Sequence, residues 1–196
     1  MKKLAMIVLV LFAAQAWGGD SFTIEELAKL NLKESDVPRR YQFREDKSGL
    51  TNDALKYSEG DKQDSKRLKK HGWQAADEVY YRTVDKNGVE QNNVYSALSV
   101  YKDNQEMEQG LKEIEANFLK DKGVPIQTSK TFGEKSILYL TQMEEPKTGK
   151  ILLYELRFYY KNAFANLEIG GPQGTISQKA IEKYGRLIEK RLKEGL

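Results

Sequence analysis

His71 is the one histidine of the chain, and cysteine is absent. A Ser-His-Asp arrangement would have to use His71, and neither a two-histidine metal site nor a thiolate-based zinc, iron–sulfur or nucleophilic centre can be built within the chain. Neither a metal nor a cofactor is expected. His71 lies in Lys70-His71-Gly72-Trp73, where a helix is predicted to end, and a histidine there gains from the helix macrodipole without any chemical task. Carboxylates are plentiful, and Glu144-Glu145 is a conspicuous pair. Neighbours on a strand point to opposite sides, so these two are poorly placed to share acid and base work. The loop Gly170 to Thr175 precedes a predicted helix and could turn its N–H groups toward an anion. It lacks the Gly-Lys-Ser/Thr ending of a P-loop and the G-x-G-x-x-G of a dinucleotide site, and reads as a chain reversal.

The 11 tyrosines carry more information. Tyr80, Tyr81, Tyr95, Tyr101, Tyr139, Tyr154, Tyr159 and Tyr160 all fall on predicted strands, where a large ring with a polar tip suits either a core edge or a binding surface. Strand parity separates the two. Tyr81, Leu156 and Tyr160 keep apolar company and belong to the core. Tyr80, Arg157 and Tyr159 are expected on an exposed face, as a ligand or partner surface.

Several elements must position these side chains. Thr23-Ile24-Glu25-Glu26 is a capping box that starts a short helix running to about Leu32. Pro38 ends that region and pushes Val37 to an extended shape. A short strand near 41–44 follows, then a polar stretch over 48–70 that reads as one or two short helices. Residues 73–84 and 92–102 flank Asp85-Lys86-Asn87-Gly88, the strongest hairpin signal of the chain, because Asn and Gly tolerate positive φ. On the second of these strands Val94, Ser96, Leu98 and Val100 share one face and Tyr95, Ala97, Ser99 and Tyr101 the other. Neither face is strongly polar, which predicts an inner strand or one covered on both sides. Asp103 caps a helix over 105–121 with Met107, Leu111, Ile114 and Phe118 as its apolar stripe, closed by Gly123. Strands over 136–143, 150–160 and 163–169 have connections short enough to force antiparallel neighbours, with Leu152, Tyr154, Leu156, Phe158 and Tyr160 as the core face of the middle one. Thr175 with Gln178 reads as a second capping box for a helix over 175–193. Runs of antiparallel strands broken by single helices define an α+β fold, an antiparallel sheet flanked by helices in two to three layers.

The N-terminus speaks about location. Lys2 and Lys3, the apolar run Leu4 to Ala13 and Ala14-Gln15-Ala16 have the order of a secretory signal peptide. At about ten residues the apolar run is short for a bilayer that needs roughly 20, so residues 1–16 are expected to be removed, leaving one exported domain over 17–196 that is periplasmic or secreted. No transmembrane segment is expected in the mature chain. With no cysteine there is no lipid-bearing residue of the lipoprotein kind. Once Lys2 and Lys3 are discounted the charge is close to balanced, and the one dense basic run, Lys66-Arg67-Leu68-Lys69-Lys70, reads as a solvated helix face. Nucleic-acid binding is not expected.

The segments Leu32-Lys33-Glu34-Ser35-Asp36-Val37-Pro38, Asn52 to Leu55, Gly72-Trp73 and Leu156-Arg157-Phe158-Tyr159-Tyr160-Lys161-Asn162 resemble small exported bacterial domains of the PsbP/Mog1-like kind and the extracytoplasmic sensor-like domains of some lipoproteins. Those open with a Leu-x-x-x-Asp-Leu-Pro-x-Gly-aromatic segment, and here Val37 stands for the leucine and Arg40 for the glycine. The resemblance implies an antiparallel sheet flanked by helices and a binding or accessory role without catalysis; it carries over no functional residue. The sequence thus points to an exported, non-enzymatic binding or accessory module of the bacterial cell envelope that recognises an envelope protein or small ligand through its sheet. The alternatives are an envelope hydrolase using carboxylates and His71, and a structural component of a surface assembly. Processing gives the first test: N-terminal sequencing of protein from the periplasm or medium should read from Trp17. Intact Met1 in the membrane pellet would make residues 1–16 an anchor.

Overall fold

The computed structural model describes residues 21–121, 124–128, 130–145 and 149–194. Residues 1–16, read from sequence as a signal peptide, Gly123 and the tip of the 145–149 turn lie outside these residues, as do the side chains of Ile114 and Phe118. Among the described residues five α-helices, α1 (Ile24–Leu30), α2 (Ala54–Tyr57), α3 (Lys62–Lys70), α4 (Asn104–Asp121) and α5 (Gln178–Glu194), accompany eight strands, β1 (Gln42–Phe43), β2 (Gly49–Thr51), β3 (Trp73–Val84), β4 (Glu90–Tyr101), β5 (Val124–Ile126), β6 (Lys135–Glu145), β7 (Gly149–Tyr160) and β8 (Ala163–Pro172). The strands form one antiparallel sheet in the order β1-β3-β4-β8-β7-β6-β5, with β2 also on β3. This is the expected α+β architecture. The β8 strand turns back between β7 and β4, which joins the β3-β4 hairpin to the β6-β7-β8 meander.

Local chemistry explains the elements. Thr23 donates its backbone N–H and its hydroxyl to Glu26 Oε2 at 2.7 and 3.0 Å, so the glutamate reaches back as expected at the start of α1. Asp103 Oδ1 accepts the Glu106 N–H at 2.8 Å and caps α4. The β3-β4 turn closes with Asp85 N donating to Val89 O at 2.8 Å and Gly88 at φ +78°. One expectation is corrected at α5: the helix starts at Gln178, and Thr175 donates its hydroxyl to Asn92 Oδ1 at 2.6 Å and to Pro172 O at 2.7 Å instead of capping it. The preceding Gly170-Gly171 stays in the sheet, opposite Leu153 and Leu152. A Cβ on Gly171 would stand 2.1 Å from Asn92 Oδ1, so the glycines serve close packing.

Alternation puts a core on each face of the sheet. On one, Val94, Leu98, Val100, Leu156, Phe158, Leu167 and Ile169 meet Leu27 and Leu30 of α1 and Ile181, Tyr184, Ile188 and Leu192 of α5. On the other, Trp73, Ala76, Tyr101, Tyr159 and Phe164 meet Ala54, Leu68, Met107 and Leu111. A register shift between Trp73 and Ala75 lets these two residues serve opposite cores. The two amphipathic helices anticipated from sequence, α4 and α5, therefore pack on opposite faces. Leu156→Ala or Phe158→Ala should cost about 2–5 kcal/mol in denaturant unfolding. Gly185→Ala should cost about 1–3 kcal/mol, because its Cβ would come within 2.5 Å of Leu156 Cδ2.

Candidate functional site

The α1–α5 face is sealed, whereas the opposite face leaves a cleft of about 610 Å³ between the strands and the segment 44–70. That segment is held over the sheet by short contacts. Arg44 N donates to Tyr80 O at 2.9 Å, and the Arg44 guanidinium grips Asp46 through Nε at 2.7 Å and Nη2 at 2.5 Å. The Ser48 hydroxyl donates to Arg44 O at 2.7 Å and accepts the Tyr80 N–H at 3.0 Å, standing in for a strand partner where β1 gives way to β2. Gly49, at φ +131°, then turns the chain into pairing opposite Glu78. Asp53 caps α2 and Asp61 caps α3. Ala54 and Leu68 anchor these helices, and Tyr57 stacks on Trp73 with centroids 5.2 Å apart.

The register of four strands lays out the floor. Tyr80, Tyr95, Glu168, Glu155 and Tyr139 lie in one row across β3, β4, β8, β7 and β6. The next row is Glu78, Ala97, Asn166 and Arg157. Central strands thus carry three carboxylates, an arginine and an amide on the face that the cleft opens. Arg157 Nε donates to Glu155 Oε1 at 2.6 Å, and Nη2 pairs with the same carboxylate. Tyr95 donates its hydroxyl to Glu78 Oε1 at 2.5 Å, and Asn166 Nδ2 donates to Glu168 Oε1 at 3.0 Å.

Burial pushes Glu168 up to about 7, reinforced by the Glu155 charge directly across the ladder. Burial also raises Glu155, against the pull of Arg157, and raises Glu78, against the Tyr95 hydrogen bond. At the mouth, Tyr80 donates to Glu90 Oε1 at 2.5 Å and accepts from Asn93 Nδ2 at 3.0 Å, with Lys47 Nζ 4.9 Å from its ring centroid. Burial pushes its hydroxyl up to about 12.

Two of the three residues singled out from sequence, Tyr80 and Arg157, line this one cleft. Tyr159 is a correction. It shares their face but is 8% exposed, covered in the second core with Met107 and Leu111 of α4; parity chose its face correctly without revealing the layer on top. His71 lies apart from the lining. It ends α3, is 4% exposed, and sits with Nε2 3.1 Å from Glu113 Oε2, against Gly110 of α4, whose added Cβ would approach His71 to 3.0 Å. Glu144 sits at the far end of β6, opposite Lys150. Glu78, Glu155, Asn166 and Glu168 were not singled out, although polar residues alternating with Leu156, Phe158 and Leu167 in mid-strand were a readable signal. Among the described residues no group of acidic and histidine side chains is arranged to hold a metal ion, and no helix is long and apolar enough to cross a membrane.

No protein-family model matches the chain, and no curated protein matches it. The fold has solved counterparts. The extracellular domain of PknH from Mycobacterium tuberculosis aligns with a TM-score of 0.63 at 12% identity, over 90% of this chain and 99% of that one. A Rv0999 ortholog from Mycobacterium smegmatis aligns at a TM-score of 0.44 and 10% identity, over 86% and 96%. The first likeness shows a shared fold with an extracellular domain; membership of the PsbP/Mog1 family is shown by neither.

Glu168 binds its proton more tightly in the folded chain than in the unfolded one. Its contribution to stability is therefore present at low pH and is lost as pH rises through about 7. Glu168→Gln should raise the thermal midpoint near pH 8 and flatten its decline between roughly pH 5 and pH 8. An unchanged pH profile would show that the carboxyl is not strained by burial.

Proposed function

We propose that the protein is an exported binding module of the bacterial cell envelope, free in the periplasm or medium, which holds a small polar ligand in the cleft beneath α2 and α3. The observation that carries this reading is the floor. Two charged strands, β7 and β8, present Arg157, Asn166 and Glu168 to an open space of about 610 Å³, with Glu155 behind them on Arg157, within the range of small-molecule sites. A sheet face built for stability alone would be apolar there, since burying charge is costly. Tyr80 and Arg157 are the contact residues put forward from the outset, one at the mouth and one on the floor. A small ligand is favoured over a protein partner because the polar side chains line a concavity instead of a flat sheet face. The N-terminal signal-like segment and the fold shared with an extracellular domain both support the compartment.

A thermal-shift screen of small polar metabolites against the purified chain tests this. A true ligand at about a hundredfold excess over its Kd adds roughly 2.7 kcal/mol to stability, a shift of several degrees. Tyr80→Ala, which removes the mouth, and Lys56→Trp, which fills the rim, should abolish the shift. Hits that survive both substitutions would place the binding site elsewhere.

A further inference from the structure

The charges of the floor do not balance, and the imbalance has a sign. Each carboxylate oxygen can accept two hydrogen bonds, yet Glu78 takes one from Tyr95 and Glu168 one from Asn166. Neither carboxylate has an ion-pair partner among the described residues, and the side-chain oxygens of Asn93 and Asn166 are buried without a donor. Of the cations around the floor, Arg157 pairs with Glu155, Arg67 with Asp64 at 2.8 Å, Lys47 lies over the Tyr80 ring, and Lys56 stands on α2 at the rim, where its charge reaches Glu78 without an ion pair. The floor, with Glu78, Glu155 and Glu168 against Arg157 alone, is therefore short of positive charge. An anionic ligand would meet two carboxylates, and a neutral one would leave their charge uncompensated.

We infer that the cleft is built for a small organic cation, a primary ammonium or guanidinium group whose charge sits between Glu78 and Glu168. The inference rests on the cleft being a ligand site. An ammonium brings one positive charge and three donors, which meet the open lone pairs of these carboxylates in charge-assisted hydrogen bonds. Tyr57, Tyr80 and Tyr95 all line the same space, and aromatic rings are the groups that hold organic cations. They also cover an aliphatic body.

The same geometry sets a pH signature. Glu168 faces Glu155 and Arg157 from β7 and Tyr95 from β4, and feels Glu59 after α2; burial and the Glu155 and Glu59 charges raise it, the Asn166 hydrogen bond and Arg157 lower it, and the balance stands at about 7. A bound cation must displace that proton. Affinity should then rise about tenfold between roughly pH 6 and pH 8, the ratio of ionised fractions on either side of that value. Amines and guanidines stay charged over this range, so the rise belongs to the protein.

Calorimetric titration of the purified chain with cadaverine, agmatine, glucose and citrate decides the matter. Support would be binding of cadaverine or agmatine that strengthens about tenfold over that pH interval, loses its pH dependence in Glu168→Gln, and weakens at least tenfold in both Glu168→Gln and Glu78→Gln. Each variant must keep the wild-type circular dichroism spectrum, and the second serves if the first does not fold. Binding of glucose or citrate, sensitive to Tyr80→Ala and without amine binding, would overturn the cation while leaving the cleft as a ligand site. Silence from all four probes would also overturn it, and the screen of small polar metabolites then judges the cleft separately.

Discussion

Glu155 and Glu168 stand directly opposite one another on β7 and β8, and much of the cleft face follows from that pairing. Like charges across an antiparallel ladder repel, and desolvation raises both carboxyls. Arg157 steadies Glu155 from two positions along the same strand, and Asn166 does the same for Glu168. Neither arrangement neutralises the pair. A lid packed down to a dry interface would strand Glu168 and Glu78 as buried charges, at a penalty of several kcal/mol per ion. Segment 44–70 therefore meets the sheet at its apolar margins, through Ala54, Leu68 and the Tyr57–Trp73 stack, and stands off the middle.

The opposite face shows how the same chain treats a polar group whose role is structural. Asn31 is fully buried beside Asp77 and Ser96. It donates to Asp77 O at 2.8 Å and Asp77 Oδ2 at 2.9 Å, while its oxygen accepts from Ser96 Oγ at 2.5 Å and Leu32 N at 2.8 Å. Arg191 of α5 then donates to Asn31 O at 2.6 Å and ties in Asp36. All the hydrogen-bonding capacity of that amide side chain is used. Against this standard the floor, with amide oxygens lacking donors and the Glu78 and Glu168 carboxylates lacking ion-pair partners among the described residues, is unfinished, and a complete polar network is within this fold's means.

Long elements were legible because their periods are strict. The parity of 152–160 and the Asp85–Gly88 turn determined which side chains share a face, and the structure keeps both. The apolar stripe of α5 did the same for its packing. Segment 44–70 was not legible in this way. Its one strand, β2, has three residues and the β1 strand just before it two, too short for any alternation to register, and its seat on β3 depends on a serine hydroxyl replacing a backbone group. Tyr159 shows the other limit, since a period of two names a face but says nothing of a helix 50 residues earlier in the chain that covers it. Glu144-Glu145 attracted notice by adjacency, whereas the carboxylates that do converge come from three strands and meet only through register.

β3 carries both faces at once. Asp77 points into the Asn31 network while its neighbour Glu78 lines the cleft, and Tyr81 donates to Leu32 O at 3.2 Å while Tyr80 guards the mouth. The side held by α1 and α5 has satisfied hydrogen bonds and a continuous apolar core, so the backbone of β3 is set from that side. Glu78 and Tyr80 inherit their positions from it. The wall has a different footing: a few apolar anchors, one very short strand and helix caps near solvent, the features of a segment that opens at lower free energy than the core. A rigid floor beneath a weakly anchored wall allows a ligand to enter without disturbing the carboxylates that would hold it. The division of labour begins with a single alternation, in which successive residues of one strand face a finished interior and an unfinished one.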